Sequence, residues 1–500
     1  MLTVAAAIGQ DFSFDVLERL TDLSRDALAE ALEQAAVARL IAEAPGAFGV
    51  YGFSHALIRE TLYEDLTLTR RVVLHRRIGE VLEDLYAGSP SAHLAELAHH
   101  FYEASRDGDP AAAIDYGERA GERAALQLAY EEAARHYARA LRALELGPQR
   151  QQERRCELLI ARGQAERRAG DPVYRQTLLT AARLAAELQD PERLARAALA
   201  NNRGFFSSVV DRIDEERVSV LDGALEAYDS TDSPTRARLL AHLGVELVPD
   251  PDWDRRARVS DAALAMARRT GHPETLAIVL NQRFGALWGP RTLSERRDIA
   301  AEATEIAERV ADRTLAFHSP NFGSHAAMEA GDLEQADAFL ARARAVADEL
   351  GEPTLHWFET VGRAKRALIT EAPRDGERLA LEALEHGLSA GQDDAVPWMA
   401  TQVFSAKLNA GRLEELAGSF SDRRRLLAED STARRVAEVM DAVALCETGR
   451  TAEARTVFDG AWPRRSPTSR TTGPRSRYPP SPRWSAPTST MPHEQRRSTR

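Results

Sequence analysis

Lysine is almost missing from this chain: of its 65 basic residues only Lys365 and Lys407 are lysines, and the rest are arginine. With so few lysines, GxxxxGK[ST] has nowhere to occur, which excludes a phosphate loop of that kind from these 500 residues. Cysteine is nearly absent too. Cys156 and Cys446 lie far apart, which excludes a disulfide framework and suits a reducing cytoplasm. No stretch approaches the ~20 uncharged apolar residues that a membrane span needs, and the opening MLTVAAAIGQDF has no basic region ahead of its short apolar run, so no signal peptide is expected. The net charge of −12 argues against general binding of nucleic acid or anionic membrane. GxSxG, HExxH, a Cys/His nucleophile set and a Gly-rich dinucleotide loop are all missing, so no catalytic residue and no cofactor is assigned.

What remains is Ala, Leu, Glu and Arg, the better helix formers, with aromatics at only 6%. Arginine in place of lysine, together with abundant alanine, points to a GC-rich bacterial genome. The expected fold is all-α: a TPR-like helical-hairpin solenoid preceded by a small winged-helix-like domain.

Residues 1–75 read as three short helices, a hairpin and a fourth helix. Thr3–Gly9 is an apolar helical run. Ser13 caps a second helix with Phe14, Leu17 and Leu20 on one face, and Ser24 caps a third with Leu28, Leu32, Ala35 and Ala36. Leu40–Ala44, the turn residues Pro45, Gly46 and Gly49, and Val50–Phe53 form the hairpin. The third helix carries Asp26, Glu30 and Glu33, and residues 1–75 hold eleven acids against six arginines, the wrong balance for neutralising phosphates. No specific nucleic-acid binding is therefore expected of the body, and this segment reads as a hinge.

From 76 to 462 amphipathic helices follow one another through short turns. A hinge recurs at Ala169-Gly170-Asp171, Ala330-Gly331-Asp332, Ala410-Gly411-Arg412 and Thr448-Gly449-Arg450, with glycine spacings close to multiples of the ~40 residues of a helical hairpin. Small residues and aromatics follow where two helices would touch: Ala336, Leu340 and Ala343 after Gly331, and Ala454, Phe458 and Ala461 after Gly449. Ala133, Tyr137 and Ala140 repeat the pattern, with Gly121 ahead of them. Roughly nine or ten hairpins fit at that period. The groove between stacked hairpins is the expected binding surface, and Trp253, Trp288, Trp357 and Trp398 are either its anchors or repeat-core residues.

Two further clusters have bland readings. His93, Glu96, His99 and His100 share a helix but have no HExxH or Cys partner, and Leu94, Leu97 and Phe101 make an ordinary packing stripe, so no metal is assigned. Arg70, Arg71, Arg76 and Arg77 read as a solvated face that could touch a separate ATPase module. Residues 463–500 hold nine Arg, eight Pro, one acid (Glu494) and no Leu, Ile, Val or Phe; this basic tail is expected to be disordered and to be an out-of-frame or otherwise unselected extension, the alternative being a genuine disordered tail that binds acidic partners.

The segment FSHALIRETLY (Phe53 to Tyr63), followed by LHRRIGEVLEDLY and HLAELAHHF, resembles the C-terminal half of large actinobacterial regulators, as do LTVAAAIGQDF and PETLAIVLNQRFGALWGP. These are LuxR-type or cyclase-associated proteins built on a STAND-class AAA ATPase. In that family an ATPase module leads into a winged helix and then a long TPR-like array. The resemblance covers residues 1–462 and implies a cytoplasmic sensor module, here without its ATPase, that binds a protein partner or small effector in the groove. Two departures matter: there is no Walker A loop, and the DNA-binding helix-turn-helix in which some members of the family end does not follow the repeats. The rival expectations are a stand-alone TPR adaptor, a DNA-binding winged-helix regulator, and a piece of a cyclase or ATPase.

Overall fold

The computed structural model describes residues 1–44, 46–88, 90–107, 110–147, 151–202, 213–250, 252–370, 372–392, 394–416 and 432–461. The tail from 462 onward, on which the out-of-frame expectation falls, lies outside them. Contacts divide the chain into two compact units, Met1–Ala169 and Gly170–Arg500. The boundary between them falls within the run of helices that follows the N-terminal segment.

The first unit begins α1 (Leu2–Ile8), β1 (Asp11–Ser13), α2 (Phe14–Leu20), α3 (Arg25–Val37), β2 (Ile41–Glu43), β3 (Val50–Phe53) and α4 (Ala56–Glu64). The caps form as the sequence indicates: Ser13 Oγ accepts from Val16 N–H and Ser24 Oγ from Ala27 N–H. The hairpin is present, but its sheet has three strands in the order β1-β3-β2, both pairs antiparallel. Phe12, Ile41 and Phe53 turn inward from the sheet to join Leu17, Leu28 and Leu32, all buried. Next come α5 (Leu68–Leu85), α6 (Leu94–Ala104), α7 (Ala111–Leu126), α8 (Tyr130–Leu146) and α9 (Gln152–Ala169). Each packs on the next from α5 to α9, and α5 also packs on α1 and α2, which joins the N-terminal segment to the first helical pairs.

The second unit comprises α10 (Tyr174–Glu187), α11 (Pro191–Ala200), α12 (Glu215–Ala227), α13 (Pro234–Glu246), α14 (Trp253–Thr270), α15 (Pro273–Ala286) and α16 (Leu293–Arg309). It continues with α17 (Arg313–Ala330), α18 (Leu333–Leu350), α19 (Pro353–Ile369), α20 (Pro373–Ser389), α21 (Ala395–Asn409), α22 (Thr432–Glu447) and α23 (Thr451–Ala461). Asp or Ser side chains cap α11, α12, α13, α14, α17 and α18, and proline occupies the first turn of α11, α13, α15, α19 and α20. The recurring glycines do the rest. Gly170, Gly331, Gly411 and Gly449 all have φ between +65° and +79°, the left-handed conformation that ends a helix without a Cβ penalty.

Neighbouring helices pair as hairpins, and α13, α15, α17, α19 and α21 also pack side by side in one layer. A continuous core runs under that layer from Ala277 to Ala395, with Phe284, Phe317, Phe322 and Trp357 at its centre. The fold is all-α and TPR-like. Among the described residues no helix is long and apolar enough to cross a membrane.

Candidate functional site

The layer of α13, α15, α17, α19 and α21 carries polar groups where packing alone would place apolar ones. Asn281, Ser319, Asn321, His325 and Gln402 are buried on it. Asn281 Nδ2 donates to Ser319 Oγ at 3.1 Å, joining α15 to α17, and Gln402 Nε2 donates to the Val361 carbonyl at 2.9 Å, joining α21 to α19. Among the described residues their amide oxygens have no protein hydrogen-bond partner, and neither does either amide atom of Asn321, which is wholly buried. Pro320, inside α17, removes one more backbone donor beside Asn321. An unmade hydrogen bond at a buried polar group costs about 1–3 kcal/mol, so such groups are normally met by ordered water or by a ligand.

Trp288 stands just beyond the end of α15. Arg296, wholly buried, holds its guanidinium 5.5 Å from the Trp288 ring and 5.2 Å from that of Phe284, with Glu329 Oε2 at 2.6 Å. Lys365 Nζ lies 5.9 Å from the same indole and 3.7 Å from Glu329, and the His325 ring meets Trp288 edge-on at 5.5 Å. Burial, then the Lys365 and Arg296 charges, hold the His325 imidazole well below its usual range. Burial lowers Lys365 while Glu329 raises it, with a net fall. The side chains of Glu329 and Lys365 keep 25% and 28% exposure, so the charged rim of this aromatic cage is open to solvent.

The other tryptophans separate. Trp357 is 2% exposed and belongs to the repeat core; Trp398 packs partly against the same core. Trp253 is 40% exposed at the start of α14, outside the α13–α21 layer, with Arg256 over its ring at 4.5 Å. Of the packing residues, Ala133, Ala140, Ala336 and Ala343 are wholly buried, Tyr137 and Ala454 nearly so. Gly170 lies so close to Ala390 that a Cβ would come within 2.8 Å of its Cα. Phe458 is 49% exposed, far more than Tyr137 at 5%.

The first unit holds a second cluster. Sequence spacing grouped His93, Glu96, His99 and His100, but His93 stacks on Tyr86 at 3.4 Å and its Nδ1 lies 3.4 Å from Glu96. His99 and His100 of α6 meet His75 of α5 instead. The three rings form a near-equilateral triangle, with centroids 5.1–5.6 Å apart. Tyr63 Oη and His75 Nε2 are 2.8 Å apart, and His75 Nδ1 and His100 Nδ1 are 2.8 Å apart. Burial, followed by His99, Arg59 and Arg71, pushes His75 down to about 4, and burial also lowers His99 and His100. Of the four arginines expected on a solvated face, Arg71 lies over the Tyr63 ring at 4.5 Å and donates to the Leu66 and Glu64 carbonyls.

No family model and no curated protein matches this chain. Among solved structures, it is similar to a STAND protein with a tetratricopeptide repeat sensor from Pyrococcus horikoshii, at 12% identity and a TM-score of 0.36, over 92% of this chain and 61% of that one. It is also similar to a Rap protein complexed with competence and sporulation factor, at 13% identity and a TM-score of 0.34, over 82% and 99% of the two chains. The chain therefore spans less than two thirds of the STAND protein's length. Scores this low carry no argument about family, and the TPR-like description rests on the helix pairing itself.

Proposed function

We propose that this chain is a sensor and protein-interaction module of a STAND-type ATP-dependent regulator, acting by binding rather than by catalysis, and that a peptide segment or small effector docks on the α13–α21 layer. The N-terminal segment supports the regulator reading: its order of helix, strand, two helices and two strands is that of a winged helix. With Asp26, Glu30 and Glu33 exposed on α3, it serves as a connector to an ATPase module, on this or another chain, and not as a DNA reader.

One observation carries the docking site. Among the described residues Asn281, Asn321 and Gln402 hold amide groups without a protein partner on the seams of the helix layer whose α17 and α19 also supply residues of the half-open Trp288 cage. Side-chain amides pair with peptide groups through both a donor and an acceptor, and an aromatic ringed by cations supplies an anchor. The test is a display selection of peptides on the full chain, followed by titration of the selected peptide into the wild type, Lys365→Glu and Asn321→Leu. The proposal expects weakened binding in both variants; undiminished binding in both would overturn it.

A further inference from the structure

We propose that His75, His99 and His100 form a metal site for a nitrogen-preferring divalent ion such as zinc, with Tyr63 as its positioning residue. This stands apart from the docking proposal, since it concerns the first unit alone. One ring nitrogen from each histidine lies within 4.8 Å of the other two. A tetrahedral zinc with bonds of ~2.0–2.1 Å needs nitrogens roughly 3.4 Å apart. The Nδ1 atoms of His75 and His100 are at 2.8 Å, so they spread slightly, and His99 closes in by rotation. His99 is the half-buried member of the three and has the freedom to do so, and its partly open side leaves the fourth position to water.

The hydrogen bonding supports a cation here. A contact between two Nδ1 atoms can hold one proton only, and among the described residues His100 Nε2 is buried without a well-formed hydrogen bond. An ion takes up both Nδ1 atoms, and the proton between them moves to the far nitrogen of its own ring, which for His75 faces Tyr63 Oη. Tyr63 fixes the far nitrogen of His75, as outer partners of ligating histidines do. Glu103 acts on both His99 and Tyr63, whereas Arg59 and Arg71 oppose positive charge at His75. The nitrogen donors, and not the local charge, must therefore provide the affinity, which favours zinc, cobalt, nickel or copper over magnesium or calcium.

The experiment uses the full chain, stripped with a chelator and titrated with Co²⁺ in the visible region, then with Zn²⁺. The proposal expects one ion per chain, a d–d band of four-coordinate intensity, its displacement by zinc, and a melting temperature raised by zinc. His99→Ala and His99→Gln, checked for folding by circular dichroism, should both lose the band. Tyr63→Phe should keep the band but bind roughly 10–100-fold more weakly. No band in the wild type, or an equal band in folded His99 variants, would overturn the proposal.

Discussion

Tyr137 lies across the helix pair from Gly121, so close that a Cβ at position 121 would come within 2.6 Å of the ring. Sixteen residues separate the two, and the same spacing recurs at Gly323 and Phe339, where a Cβ would stand 2.8 Å from the ring. Glycine on the first helix and an aromatic on the second set how closely the hairpin closes. Gly121→Ala gains up to about 1 kcal/mol of helix propensity but loses about 1–3 kcal/mol to overpacking against a ring with nowhere to go. The net outcome is a lower melting temperature. An unchanged or higher value would mean that the pair does not set the spacing.

Ala336 makes the same point on α18, wholly buried among Ala327, Met328 and Phe339. Ala336→Leu is expected to cost about 1–3 kcal/mol in denaturant unfolding. Phe458→Ser is the contrast, because a side chain 49% exposed has less apolar surface to lose. If the two substitutions cost the same, the repeat register in α18 is wrong.

These positions explain what was legible beforehand. The hinge glycines and the small residues after them carry local signals, because a left-handed cap and a close helix contact each restrict one position to Gly or Ala. Strand β1 carried none: Asp11–Ser13 is three residues long, too short to alternate, and exists only through pairing with β3. The histidine triad was hidden for a different reason. Spacing within one helix cannot reveal a partner on another, so His99 and His100 were grouped with His93 when their neighbour is His75. Trp288 and Trp357 look alike in sequence and both touch the same core; only the degree of burial, nearly complete for Trp357 and partial for Trp288, separates them.

His325 gives the second unit a pH dependence. Its folded pKa is depressed, so the unfolded chain binds the proton first once the pH drops below about 6.5. Its contribution to stability is therefore intact above that value and lost as the pH falls toward the folded pKa, at about 1.4 kcal/mol per pH unit. His325→Gln should flatten the wild-type slope between pH 6.5 and 5 by roughly one proton. Equal slopes would show that His325 is protonated in the fold, beside Arg296, Lys365 and Glu329.

Duplex DNA should bind only weakly and without sequence preference. Asp26, Glu30 and Glu33 lie exposed on α3, and the +8 charge of residues 463–500 gives only salt-sensitive attraction. Mobility shifts at 50 and 200 mM salt should show that binding vanish. A sequence-dependent shift that survives at 200 mM would restore the DNA-reader interpretation.

The central claim is that the α13–α21 layer keeps buried polar groups for a ligand, at the expense of stability. Asn321 is the sharpest case, since both of its amide atoms are buried without a protein partner among the described residues. Asn321→Leu removes that penalty of about 1–3 kcal/mol per group and with it the groups a ligand would use. The most direct measurement is therefore paired: the melting temperature of Asn321→Leu, and its affinity for a peptide selected on the wild-type chain. The expected result is an equal or higher melting temperature with affinity reduced about tenfold or more, the loss of one to two hydrogen bonds. A less stable variant that binds the peptide as tightly as the wild type would contradict the account.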